Sequence, residues 1–123
     1  MSKISLEAGE HTEELLQFIL DEVGDEALDD IDVDRTLVES PGLAGEAVTA
    51  AVILGLAVPA TIGVVRIVER WLEKKRQEDN LVLVLKGFEV SKEAGVAMAG
   101  LAGTHAKVAV EYSLYDAQAA GEK

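Results

Sequence analysis

The chain has 123 residues, enough for one compact α+β domain spanning 1–123. Its formal net charge of −12 argues against nucleic acid as a partner, because holding phosphates needs a basic face. It has no cysteine, which removes disulfides, thiol catalysis and thiolate metal sites and fits a reducing, cytoplasmic setting.

Lys3 to Glu7 alternates, with Ile4 and Leu6 on one side and Ser5 and Glu7 on the other, as in a short strand. After Gly9, the apolar positions Leu15, Leu16, Phe18, Ile19, Leu20 and Val23 fall on one face of a helix over 11–23. Gly24 suits its C-terminal cap. Ile31, Val33 and Leu37 alternate with Asp32, Asp34 and Thr36, which predicts a second strand ended by Ser40, Pro41 and Gly42. Next comes an expected long helix over 43–77, closing on Trp71, Leu72 and the basic cluster Lys74, Lys75, Arg76. Leu81 to Val90 reads as a buried strand. Ser91 is placed to cap a short helix over 92–101. Alternation from Thr104 to Leu114 gives a last strand. The expected order is β-α-β-α-β-(α)-β: a mixed sheet of about four strands and one long apolar central helix. Residues 1–46 form its acidic strand-helix-strand part, 43–77 the helix, and 81–115 the C-terminal strand pair.

Charge is distributed unevenly. Residues 1–46 carry fourteen acids against Lys3 and Arg35, whereas 66–123 carry nine acids and nine bases. Between them, 47–65 has no charge at all. Those nineteen residues match the length that spans a bilayer, and nine of them are Val, Ile or Leu. On an insertion scale these nine contribute about 3–5 kcal/mol, which Thr49, Gly55, Pro59, Thr61 and Gly63 erode. Within the segment Ala47, Ala51, Gly55, Pro59 and Gly63 recur every four residues and would form one stripe of small side chains on a helix. Such a stripe lets two helices approach closely. A helix apolar all round exceeds what one small sheet can cover, so it is expected to meet another copy, another protein or lipid.

Chemistry is sparse. His11 and Glu14 share a helix face at i, i+3, but two ligands do not make a metal site. His105 has no spacing that builds a triad with Ser91 or Ser113. Asp30, Asp32 and Asp34 resemble the start of a calcium loop, yet Arg35 stands where the loop needs glycine and Pro41 where it needs glutamate. Gly95, Gly100 and Gly103 match no phosphate loop and are read as close-packing positions. No cofactor, metal site or catalytic residue is expected.

Two stretches carry a family resemblance. Gly87 to Gly95 (GFEVSKEAG), an Ala/Gly stretch, and Ala106 to Tyr112 (AKVAVEY) resemble the C-terminal half of the trypsin-co-occurring domain family. The N-terminal two thirds, with its Pro41-Gly42 break and a helix ending in Trp71-Leu72 and Arg76, is similar to the effector-associated constant component family. The resemblance implies a non-enzymatic component encoded beside a trypsin-like or caspase-like protease effector in bacterial antiphage defence.

Two functions compete at this point. One is a homo-oligomeric adaptor, assembled through the small-residue helix face and bound to an effector. The other is a membrane-inserting, pore-forming effector released by proteolysis. Its motive is Arg35, the lone base between Lys3 and Arg66, where a trypsin-like cut would remove most of the acidity. The cellular place expected is cytoplasmic, with membrane association under the second reading.

Overall fold

A computed structural model describes residues 2–28, 30–39, 48–77 and 81–116. The elements are β1 (Ser2–Glu7), α1 (Thr12–Leu28), β2 (Asp32–Glu39), β3 (Val48–Leu56), α2 (Thr61–Lys74), β4 (Leu83–Val90), α3 (Lys92–Thr104) and β5 (Val108–Leu114). Short 3-10 turns over Gly9–His11 and Val58–Ala60 lead into α1 and α2.

The class is α+β, with five strands rather than four, in the order β2-β3-β1-β4-β5. β1 runs antiparallel to both β3 and β4, β2 antiparallel to β3, and β5 parallel to β4. The first four strands and two helices thus follow the ferredoxin-like split β-α-β arrangement. α3 and β5 extend it by one further β-α-β step at one edge.

The expected long helix over 43–77 is not formed. Within it, 48–56 is a strand and only 61–74 is an α-helix; 43–47 lie outside the described residues. Two local causes are visible in the sequence. Val48, Thr49, Val52 and Ile53 are β-branched, and such side chains fit a pleated surface better than a helix turn. Pro59 has no N–H to give to a helix interior, and here it stands in the first turn, where none is needed. Ala57 before it is extended, with φ −69° and ψ 147°. Pro59 therefore opens α2 rather than kinking a longer helix. The chain's uncharged middle is apolar all round because it passes through a central strand and then a core-facing helix.

Register explains the burial. Val52, Leu54 and Leu56 of β3 stand beside Ile4 and Leu6 of β1 on the face that carries all three helices. Leu83 and Leu85 of β4 continue that face. From above, α1 supplies Leu15, Leu16 and Ile19, α2 supplies Val64, Val65, Val68 and Trp71, and α3 supplies Met98 and Leu101. The helices pack side by side, α1 on α2 and α2 on α3. The opposite sheet face holds Lys3, Ser5, Ala51, Ile53, Gly55, Lys86 and Phe88, and no described helix covers it. Fully burying one large aliphatic side chain is worth about 1.5–3 kcal/mol, so this one continuous cluster dominates the stability.

Polar contacts fix the corners. Thr12 Oγ1 accepts from the Ala8 N–H at 2.9 Å and donates to the Gly9 carbonyl at 2.8 Å, setting the entry to α1. Thr61 Oγ1 donates to the Val58 carbonyl at 2.6 Å and accepts from the Ser91 N–H at 3.1 Å, joining the starts of α2 and α3. Ser91 caps α3 as expected, its hydroxyl oxygen accepting from the Ala94 N–H at 3.1 Å. Gly24 has φ 81° and ψ 166°, which interrupts α1 at the residue where the first helix was expected to end.

Candidate interaction surface

The ionisable side chains form short, mostly exposed pairs between elements. Arg35 on β2 donates to both carboxylate oxygens of Glu13 on α1, through Nε at 2.9 Å and Nη2 at 3.1 Å. This fork holds the Glu13 carboxyl below its ordinary value and raises the Arg35 guanidinium. Arg70 of α2 reaches Glu22 of α1 at 2.7 Å. Lys75 pairs with Glu14, and His11 Nδ1 lies 3.3 Å from the same carboxylate. Lys75 is the chief reason Glu14 titrates below its ordinary value; partial burial opposes it and His11 assists. His11 also stands edge-on to Trp71, with ring centroids 6.4 Å apart. Trp71 Nε1 is buried and makes no hydrogen bond among the described residues; the indole is only a minor further influence on Glu14. His105 follows α3 as its C-cap instead of opening a strand, and faces Glu73 at 3.6 Å.

These clusters tie helices to one another and α1 to β2, and none of those described sets a hydroxyl or thiol nucleophile beside a base. No group of three metal-ligating side chains occurs among the described residues, Asp30, Asp32 and Asp34 included. Gly95 is a close-packing position as expected, whereas Gly100 and Gly103 have open space where a Cβ would stand.

The five small residues expected to line one helix are dispersed. Ala51 and Gly55 lie on β3, on the face away from the helices, and Gly55 is packed against Asp32 of β2. Pro59 is in the turn before α2, Gly63 is exposed on α2 with nothing near it, and Ala47 lies outside the described residues. No continuous helical stripe joins them. Arg35, the proposed cleavage point, lies mid-strand in β2, opposite Val52 and bound to Glu13. A cut there would sever a paired strand rather than an open linker.

What the sequence reading missed is the surface at the β5 edge. Tyr112, Leu114 and Tyr115 remain 42%, 47% and 40% exposed, and Val96 on α3 is 67% exposed. Gly95 lets α3 rest closely on these side chains: a Cβ there would stand 2.7 Å from Leu114 Cδ2 and 2.8 Å from Tyr112 Cε2, so any larger residue would require them to shift. The available signal was a strand of seven residues with one charge, Glu111, followed by a tyrosine.

Compared with known proteins, the chain matches no family model, no curated protein and no solved structure.

Proposed function

We propose that the chain is a non-enzymatic accessory component of a bacterial defence system, self-associating and working with a trypsin-like or caspase-like protease effector. The observation that supports this reading is the unit β4-α3-β5. The two segments that carry the family resemblance, 87–95 and 106–112, fold against each other there through Gly95 and Tyr112, with Leu114 just beyond them also against Gly95. Together they leave half-exposed aromatic and aliphatic side chains beside a strand edge that no strand pairs among the described residues, a surface suited to another protein. Self-association moves in this account from a central helix to the C-terminal part of the sheet.

The pore-forming alternative has weaker support. Its apolar segment is divided between the interior strand β3 and the start of α2, and no helix among the described residues is long and apolar enough to cross a membrane.

The test is co-expression with the trypsin-like or caspase-like protease that this reading pairs it with. The chain should co-purify with that protein and change its proteolytic activity, while showing no hydrolytic activity alone. A chain that neither binds nor alters the protease, or that hydrolyses substrates by itself, contradicts the proposal.

A further inference from the structure

Among the described residues β5 is the last strand of the sheet, and its hydrogen-bond parity is fixed at both ends. The Leu83 N–H donates to the Lys107 carbonyl at 3.0 Å, and the Tyr115 N–H donates to the Val90 carbonyl at 2.9 Å. Odd-numbered positions of β5 therefore direct their backbone groups at β4. Val110, Tyr112 and Leu114 direct theirs outward. Val108 is spent locally, since its N–H donates to the His105 carbonyl at 3.2 Å. The outward-facing set is three residues centred on Tyr112.

We propose that this edge pairs antiparallel with the β5 edge of a second copy, about a two-fold axis through Tyr112, to form one continuous ten-stranded sheet from the two five-stranded ones. This deepens the self-association part of the function proposed above and does not depend on the defence role. In that register Tyr112 faces Tyr112, and each Val110 faces the other copy's Leu114. All three outward positions exchange both backbone groups, giving about six new hydrogen bonds. Between them, at the closer non-hydrogen-bonded pairs, Glu111 faces Ser113. The Ser113 oxygen already accepts from the Glu89 N–H at 3.0 Å, so its hydroxyl proton is available to the facing carboxylate.

Neighbouring registers are worse for stated reasons. Sliding two residues one way sets Glu111 directly against Glu111, a like-charge pair across the strands. Sliding two the other way leaves Val110 facing Asp116 and loses its hydrogen bonds. A one-residue slip sets outward groups against inward ones.

Charge favours this edge over the other. Residues 81–116 hold Lys86, Lys92 and Lys107 against Glu89, Glu93, Glu111 and Asp116, three bases to four acids. The whole net charge of −12 lies in residues 1–46, which include β2 at the far edge. Two copies joined at β5 keep their acidic parts apart.

The test uses the full chain, whose lack of native cysteine makes engineered thiols unambiguous. Light scattering after sizing should give twice the 13.1 kDa chain mass, falling to 13.1 kDa for Tyr112→Lys, which sets two ammonium groups face to face. Glu111→Cys and Ser113→Cys chains, made separately, should form an intermolecular disulfide when mixed and oxidised. Each alone should not, because like positions lie diagonally across the axis, beyond disulfide reach. The mixing result stands even where Tyr112→Lys fails to fold. A monomeric wild-type chain overturns the inference and leaves effector binding untouched. A dimer that survives Tyr112→Lys and shows no mixed disulfide keeps self-association but overturns this interface.

Discussion

At one edge of the sheet β2 opens with Asp32, Val33, Asp34 and Arg35, three charges in four residues; at the other, β5 has Glu111 alone among seven. Both are edge strands, yet they are attached by different forces. β2 is tied to the helices through the Arg35–Glu13 fork, exposed and electrostatic. β5 is held by packing, with Tyr112 and Leu114 resting on Gly95 of α3. Charged side chains along an edge discourage a further strand from adding, and an apolar edge without them invites one. The contrast marks one edge as a boundary and the other as a joint.

The interior beside the guarded edge should be the costliest place to disturb. Leu54 is fully buried on β3, so Leu54→Ala should destabilise the fold by about 2–5 kcal/mol in denaturant unfolding. Leu114→Ala, at a half-exposed site on the free edge, should cost about 1 kcal/mol in the dilute chain. Equal costs would break the distinction between an interior strand and a free edge.

Next in size is Gly95→Val. Its added carbons meet Leu114 and Tyr112, so overpacking of about 1–3 kcal/mol is expected, together with loss of the dimer. Stability that falls while the dimer persists would separate α3 packing from edge pairing.

The smallest effects belong to the electrostatic side. Arg35→Gln should leave the unfolding midpoint nearly unchanged at neutral pH, because exposed ion pairs contribute little. Acid should reveal it instead. Glu13 and Glu14 are depressed in the folded chain, so their stabilisation is complete above the ordinary carboxylate value and is lost as pH falls through the depressed values. Carboxyl resonances followed by NMR should show Glu13 titrating higher in Arg35→Gln, and Glu14 higher in Lys75→Gln. The contacts of β5 with α3, which contain no such pair among the described residues, should be insensitive over that range.

Much of this was visible in the residues. The alternation of Ile4 and Leu6, the apolar face of α1 and the Ser91 cap each follow from local pattern, and each element forms where that pattern lies; the last strand, expected over 104–114, begins only at Val108 because α3 runs on to Thr104. The middle failed because a uniformly apolar run has no period to read. Val52, Leu54 and Leu56 alternate, but so many neighbours are also apolar that the alternation is hidden. Pro59 carried the missing information: a proline before a helical pattern marks its first turn as readily as a kink within it. The β5 surface was illegible for a different reason. Which backbone groups of β5 are outward depends on β4 lying along one side of it, and parity belongs to the sheet rather than to the strand.

The two edges should differ in what they do to a second copy. Amide hydrogen exchange, followed residue by residue across a dilution series, tests it most directly. The N–H groups of Val110, Tyr112 and Leu114 should be protected at high protein concentration and lose that protection on dilution, while the solvent-facing amides of β2 exchange fast throughout. Fast exchange at all three β5 positions in the concentrated protein, or concentration-dependent protection at β2 instead, would contradict it.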